Sequence, residues 1–303
     1  MACYIHVSDK AMGYAICIIN SIPISLQNII LARLKLMHPA IPSLLQTFSH
    51  AITPPQRVTI EDWARRSIIL STKQPGAFPG YYRADVTPPM RGVFAALQDA
   101  TVRTVALAKG AQTGGTLAAY VWLCYVMAED PGAVLIVMPS EDMARWSSEN
   151  RMQPLLQDSP VMRRELLKDK DAITNLNYRL RGCTLSWTGS NSPANLATRP
   201  VRYLLLDEVD KYPIDNGVEG NAIGLAMQRT KTFWNRKVLM LSTPTVEHGN
   251  IWRQFLRGDQ RRYFVPCHKC GHKQDLKWKQ VKFDGTLPAD DAAKTAYYEC
   301  ESC

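Results

Sequence analysis

The 303-residue chain has no uninterrupted apolar run of the ~20 residues a bilayer-spanning helix needs. Its nearest approach, residues 11–36, is broken by Asn20, Ser21, Pro23, Gln27 and Asn28 and ends in Ala32-Arg-Leu-Lys-Leu36. The segment is also a poor match to a secretory signal, which wants a basic start and a small-residue cleavage site, because Asp9-Lys10 precedes the apolar run. We read residues 1–36 as an over-extended reading frame with Met37 or a nearby codon as the true start. Residues 1–56 are read as an N-terminal extension, partly disordered or spurious. There is no internal repeat and no low-complexity tract. Acidic residues are in deficit, with 27 Asp and Glu against 36 Lys and Arg, and the formal net charge is +9. That balance favours a polyanionic partner, nucleic acid above all, and charge alone fits a merely solvated basic surface about as well. The cysteines are not spaced as a secreted disulfide scaffold. Cys3, Cys17, Cys124 and Cys183 are scattered, and the last two sit in apolar stretches, where cysteine is a small hydrophobe.

What is present is a chain with 46% hydrophobic and 21% charged residues, ordinary for a globular protein and long enough for one large domain plus a small module. Val58-Thr-Ile-Glu-Asp-Trp63-Ala-Arg-Arg predicts a short helix capped by Thr59, and Pro88-Pro89 opens a helix through Met90–Ala100. Arg103–Ala108, Ala133–Met138, Thr184–Thr188, Tyr203–Leu206 and Val238–Leu241 read as buried strands. Helical segments Thr116–Ala128, Glu141–Leu156 and Val161–Leu167 separate them. The alternation predicts an α/β fold with a mostly parallel sheet flanked by helices. From Arg261 the texture changes to short strands and cysteine pairs, which puts a domain boundary near 260, between a 57–260 domain and a 261–303 module.

Three segments carry chemistry. In Val105-Ala-Leu-Ala-Lys109-Gly-Ala-Gln-Thr-Gly114-Gly115-Thr116 a strand runs into a glycine-rich loop that opens a helix. Such a loop surrounds phosphates with backbone N–H groups, while a lysine neutralises phosphate oxygens and a Ser/Thr hydroxyl ligates magnesium. Against the pattern G-x-x-x-x-G-K-[ST], the lysine's usual position holds Gly115, and the lysine stands instead at 109, the first position. In Leu204-Leu-Leu206-Asp207-Glu208-Val209-Asp210 a buried strand delivers two carboxylates at its end, suited to a magnesium ligand and a water-activating base, although an Asp there is also an ordinary helix cap. Asp210 reads as a surface residue or one standing behind the other two. In Val238-Leu-Met-Leu241-Ser242-Thr243-Pro244-Thr245 a strand ends in hydroxyls.

With these in order, the chain from about Val58 to Cys303 resembles the large terminase subunit of tailed phages, GpA-like branch. Further motifs carry the resemblance: Glu61-Asp-Trp63-Ala, Pro139-Ser-Glu-Asp, Gly189-Ser-Asn191-Ser-Pro193-Ala-Asn195-Leu196, Lys211-Tyr212-Pro213 and the cysteine pairs. The resemblance implies an additional-strand, RecA-like P-loop ATPase fold that drives DNA packaging, followed in the family by an RNase H-like nuclease. Lys109 looks like the displaced lysine of the family's variant phosphate loop, and Gly110, Ala111, Gln112, Thr113, Gly114, Gly115 and Thr116 fill out the ATP-binding loop. Asp207 with Thr116 matches the magnesium ligands, Glu208 the catalytic glutamate, and Ser242 with Thr243 the segment that couples hydrolysis to movement. An arginine finger is expected, with Arg145 and Arg151 as candidates, and Tyr81 or Tyr82 is a candidate for stacking on adenine. The implied cofactors are ATP and Mg2+. The implied partners are double-stranded DNA, a small terminase subunit, the procapsid portal and further copies of the chain, with no membrane. The implied location is the host bacterial cytoplasm, transiently at the portal.

The sequence stops at Cys303, so the reading is of a polypeptide truncated before the nuclease, with no nuclease activity expected of it. Cys267-x-x-Cys270 and Cys300-x-x-Cys303 are separated by 29 residues, where ~15–20 is usual, and a hairpin insertion absorbs the difference. Four thiolates suffice for a structural, zinc-ribbon-like Zn2+ site, leaving His268 and His272 as bystanders. Arg253, Arg257, Arg261, Arg262, Lys269, Lys273, Lys277, Lys279 and Lys282 run into and through this module and suit sequence-independent contact with DNA phosphates. Two other readings stay open. Asp-Glu-Val-Asp echoes the box of helicase-like ATPases, and Gly115 with the short chain fits an inactive prophage remnant that acts at most as a DNA-binding or assembly protein.

Overall fold

The protein is described from a computed structural model, which covers residues 58–72, 78–213 and 221–303. The N-terminal extension, the start proposed at Met37, and Cys3 and Cys17 lie outside the described residues. Chain entry is fixed locally. Helix α1 (Ile60–Ser67) begins where the Thr59 hydroxyl accepts the Asp62 N–H at 3.1 Å, with Glu61 and Asp62 in its first turn and Arg65 and Arg66 in its last. Strands β1 (Ile69–Leu70) and β2 (Gly80–Tyr81) form a short antiparallel ladder, and α2 (Met90–Gln98) follows Pro88-Pro89.

The main sheet is built from β3 (Thr104–Ala108), β4 (Ala133–Met138), β5 (Asn177–Leu180), β6 (Cys183–Gly189), β7 (Tyr203–Asp207) and β8 (Lys237–Ser242). Its order is β3-β8-β7-β4-β6-β5, parallel throughout except for β5, which runs antiparallel to β6. Alternate residues serve two cores because successive side chains on a strand point to opposite faces. Val134, Ile136, Tyr203, Leu205, Leu239 and Leu241 pack on one face, and Leu135, Val137, Leu204, Leu206, Val238 and Met240 on the other. Burial on both faces explains why these strands read as continuous apolar runs. Helix α3 (Gly115–Glu129) is wrapped by the first core and is apolar around most of its circumference, with Tyr120, Val121, Trp122, Leu123 and Cys124 all buried.

Several expectations need correction. Residues 103–108 were expected to be buried, but β3 is an edge strand: Thr104 is exposed and Val105–Ala108 are half-buried, because β3 pairs only with β8. The expected helix 141–156 is three pieces, α4 (Glu141–Ser147), a π-helical turn (Ser148–Met152) and α5 (Gln153–Asp158). Pro154 has no N–H to give the Asn150 carbonyl, so the regular ladder cannot pass through it. Strand β5 was missed, since its residues Asn-Tyr-Arg-Leu alternate exposed and buried over four positions only. Short helices α6 (Pro160–Glu165), α7 (Pro193–Ala197) and α8 (Ala222–Gln228) precede α9 (Asn250–Arg257). After α9 the chain forms two short antiparallel ladders, β9 (Val265–Pro266) with β10 (Lys273–Gln274) and β11 (Val281–Lys282) with β12 (Tyr297–Tyr298), the latter pair joined through α10 (Ala289–Thr295). No helix among the described residues is long and apolar enough to cross a membrane.

Candidate nucleotide site and cysteine cluster

The strand order brings the three chemical segments together. Strand β8 lies between β3 and β7, with Ala108 beside Ser242 and Asp207 beside Leu241. The glycine-rich loop, the hydroxyl-bearing turn and the carboxylate pair therefore leave the same end of adjacent strands, and the Lys109 N–H donates to the Ser242 carbonyl at 3.0 Å.

Within the loop, Gln112 (φ 60°) and Gly114 (φ 80°) are left-handed. A side chain on Gly114 would also bring a Cβ to 2.6 Å from Thr87 Cγ2, so glycine is required there twice over. Helix α3 starts at Gly115 with no side-chain cap, so its first-turn N–H groups face the loop without intrahelical partners. Gly115 has a specific reason to be glycine. A Cβ on it would sit 2.5 Å from Lys109 Cδ and 3.2 Å from Cε. The Lys109 stem crosses the space that a side chain at 115 would fill. The displaced lysine and the glycine in its usual place are thus one structural feature.

Lys109 is buried, with 7% of its side chain exposed, and its Nζ donates to Glu208 Oε1 at 2.9 Å. Lys211 reaches the other oxygen of Glu208 at 3.4 Å. Burial pushes the Glu208 carboxyl up, but hydrogen bonding and charge from Lys109 and Lys211 outweigh it, and the net shift is down. Glu208 itself is left-handed (φ 56°), an uncommon conformation for a residue with a side chain. Asp207 behaves oppositely. Burial first, then the Glu208 charge, raises its pKa to about 6, against lowering by Lys109, a hydrogen bond from Thr116 and Arg151. Its Oδ1 is buried with no hydrogen-bond partner. An unpaired carboxylate oxygen beside a threonine hydroxyl is a donor set that fits a hard divalent cation such as Mg2+.

The other predicted residues fall in different places. Arg151, on the π-helical turn, is near enough to Asp207 for its charge to act there, and its guanidinium lies 5.2 Å from the Trp146 ring centroid. Arg145 pairs with Glu141 one turn away at 3.2 Å, on the exposed surface. Tyr82 is buried and packs edge-on against Phe94, which removes it as an adenine platform, while Tyr81 is exposed. Ser242 is fully buried, its hydroxyl donating to the Thr243 carbonyl and accepting the Asp210 N–H. Sequence reasoning missed Thr87, which closes over Gly114, and Lys211, three residues beyond Glu208. Thr87 belongs to no motif, Lys211 stands in a motif that gave it no site role, and only the fold brings them to Gly114 and Glu208.

At the C-terminal end, the sulfurs of Cys267, Cys270, Cys300 and Cys303 all lie within 4.8 Å of one another. The Cys267–Cys303 and Cys270–Cys300 separations are 3.9 and 3.7 Å. Four sulfurs at Zn–S distances of ~2.3 Å in a tetrahedron would stand about 3.8 Å apart, so the cluster has the dimensions of a zinc site. The β9–β10 hairpin makes the first knuckle, where Cys267 N–H donates to the His272 carbonyl at 2.8 Å and Gly271 (φ 73°) makes the left-handed turn just after Cys270. His268 and His272 are outside the cluster.

A parallel sheet with a glycine-rich loop at one strand end and paired carboxylates two strands away is the layout of a P-loop nucleoside triphosphatase. Residues 76–303 match the family model for the phage terminase large subunit gpA, ATPase domain, and the chain belongs to that family. The terminase large subunit of Enterobacteria phage P21 is 25% identical over 261 residues, a match covering 82% of this chain and 39% of that protein. The chain thus spans well under half the length of that curated relative. Among solved structures, the large terminase ATPase domain of Thermus phage P74-26 aligns with a TM-score of 0.39 and 20% identity over 60% of this chain and 75% of that one. A mutant form of the same domain gives 0.41 and 18%, over 64% and 80%.

Proposed function

We propose that this chain hydrolyses ATP as the motor portion of a phage DNA-packaging terminase that moves double-stranded DNA into a procapsid. The observation that carries the reading is the Lys109 side chain, whose stem lies against Gly115 and whose ammonium is 2.9 Å from Glu208, between the phosphate loop and the carboxylate strand. It answers the objection that the lysine is lost: an ammonium is present at the loop, supplied from its first residue. This geometry speaks against the part of the inactive-remnant reading that rests on Gly115.

In the proposed roles, the loop from Lys109 to Thr116 cradles the phosphates and Lys109 neutralises their charge. Asp207 and Thr116 would hold Mg2+, which when bound offsets phosphate charge. Glu208, held ionised by Lys109 and Lys211, orients the attacking water and accepts its proton. Arg151 is the better placed of the two arginine candidates because its charge already reaches Asp207, whereas Arg145 is tied to Glu141. Ser242 and Thr243 sit at the end of the strand between loop and carboxylates and report on both. The four thiolates would hold Zn2+ and staple the 261–303 module. DNA contact is proposed along the cleft of about 1550 Å3 beside β3, whose lining includes Arg91, Arg103, Arg253, Arg257, Arg261 and Arg262. Arg261 and Arg262 are paired with Asp259 and Asp275, so Arg253 and Arg257 are the stronger phosphate ligands. A small terminase subunit, a portal and further copies of the chain are the partners proposed on family membership. The deciding assay is ATP turnover with double-stranded DNA present. Lys109→Ala should abolish it, and unchanged turnover refutes the role assigned to that lysine.

A further inference from the structure

Asp210 stands in the carboxylate segment but has no part in the proposed reaction. Its carboxylate accepts the Thr245 N–H at 3.0 Å and the Ile251 N–H at 2.7 Å, with the Thr245 hydroxyl at 3.4 Å. Its own N–H donates to Ser242 Oγ at 3.2 Å, and Asn250 Nδ2 donates to the neighbouring Val209 carbonyl at 3.0 Å. The position expected to be a surface carboxylate or one standing behind Asp207 and Glu208 is thus the meeting point of the turn after Glu208, the segment after Ser242 and the start of α9. The N-cap of α9 is Gly249, which has no side chain to cap the first turn. Asp210 supplies that cap from a different element. Gly249 is also the residue that lets it approach, because a Cβ there would lie 2.3 Å from Asp210 Oδ2. Glu208 and Asp210 are joined by the single turn Val209–Lys211, so there is little slack between the carboxylate at the nucleotide site and the cap of α9.

We propose that Asp210 is a positioning residue that latches α9 to the Glu208 turn, so that nucleotide at the loop sets the placement of Arg253 and Arg257 in the arginine-lined cleft. This rests on the ATPase reading above and adds to it the route between the two sites. The physical requirement for such coupling is an element whose placement both sites bias. Helix α9 meets it, since its N-terminus is held by the Glu208 turn and its arginines line the cleft.

Two variants break the latch in different ways. Asp210→Ala removes the acceptor, and Gly249→Ala keeps every polar group but fills the space the carboxylate occupies. Gly249 has φ −58°, so alanine is accommodated by the backbone. The full chain is tested with a fluorescent, non-hydrolysable ATP analogue and Mg2+, by amide hydrogen exchange over residues 243–257, and by ATP turnover with and without DNA. Both variants should bind the analogue and turn over ATP without DNA within about threefold of the unmodified chain, while the effect of DNA on turnover falls about tenfold and the analogue no longer changes exchange over 243–257. Persistence of the exchange change in either variant overturns the latch, as does a loss of turnover that is equal with and without DNA. An unmodified chain that binds and hydrolyses ATP without any response over 243–257 overturns the latch and leaves the ATPase reading standing. Failure to bind the analogue at all refutes the ATPase reading itself, and the latch with it.

Discussion

Gly115→Ala separates the two explanations of the missing lysine. If Gly115 marks a decayed phosphate loop, one added methyl group at the start of a helix should be harmless or helpful, because alanine exceeds glycine in helix propensity by up to about 1 kcal/mol. The structure predicts otherwise for function. The new Cβ would stand 2.5 Å from Lys109 Cδ, where ordinary carbon contacts are ~3.5–4.0 Å, so the lysine stem must retreat by about 1 Å or more. The stem is flexible, which keeps the cost to the fold small, but its ammonium would lose the 2.9 Å contact with Glu208. Misplacing a catalytic group by ~1 Å costs on the order of 100-fold in rate. The expected result is a melting temperature within a few degrees of the unmodified chain and ATP turnover reduced about 100-fold. Turnover within about threefold of the unmodified chain would refute the argument that Gly115 exists to admit Lys109. The reciprocal exchange sharpens it: Lys109→Gly with Gly115→Lys returns the ammonium to its common position and should recover at least about tenfold over Lys109→Ala, whereas Gly115→Lys alone crowds two stems into one space and should not.

Asp207→Asn should stabilise the fold while abolishing turnover, measured by thermal melting without nucleotide or magnesium. A carboxyl whose folded pKa is raised from 3.8 to about 6 holds its proton more tightly in the native state, so its ionisation costs stability of order 3 kcal/mol above pH 6 and the cost fades as pH falls toward 4. The gain in melting temperature should therefore be largest near pH 7.5 and shrink at acid pH, and a lower melting temperature at pH 7.5 would contradict it. Glu208 has the opposite sign, since its lowered carboxyl contributes stability that is lost as pH falls through its folded pKa. Metal analysis of the purified chain should return one zinc per molecule, and Cys270→Ser or Cys300→Ser should reduce that to well below one and make residues 261–303 the first site of proteolysis. Four-thiolate zinc supplies folding free energy to so small a module, so unchanged proteolysis in these variants counts against a structural metal.

The sheet was legible because its strands are buried on both faces: Ala133–Met138 was placed to the residue and four others to within one or two, by continuous apolar runs alone. The strand that was missed and the one whose burial was misjudged both break that rule. Strand β5 alternates Asn-Tyr-Arg-Leu and is too short for a periodic signal, and β3 looks like an interior strand although it pairs on one side only. The meeting of the three strand-end segments was legible in the same way, since topology alone brings the ends of β3, β8 and β7 together. The turn after Glu208 was not. Asp210 could be read as a surface aspartate or as one standing behind Asp207 and Glu208, but its partners Thr245 and Ile251 reach it through backbone N–H groups, which every residue but proline carries. A contact made to backbone leaves no residue type to recognise on the other side.

The displaced lysine is more than a tolerated substitution. What phosphates require is an ammonium at the loop, and a lysine stem is long enough to deliver one from either end of it. The two ends differ in what else they touch. A lysine at 115 would stand on α3, whereas Lys109 stands at the end of β3, where its own N–H is bonded to the Ser242 carbonyl. Ser242 in turn accepts the Asp210 N–H, and Asp210 caps α9. On the proposed role of Lys109, a lysine at the start of the loop puts the charge that would meet phosphate on a residue whose backbone is tied, through Ser242 and Asp210, to α9 and its arginines. The placement of Gly115 follows from the same arrangement, because the Lys109 stem that reaches Glu208 occupies the space a Cβ at 115 would fill.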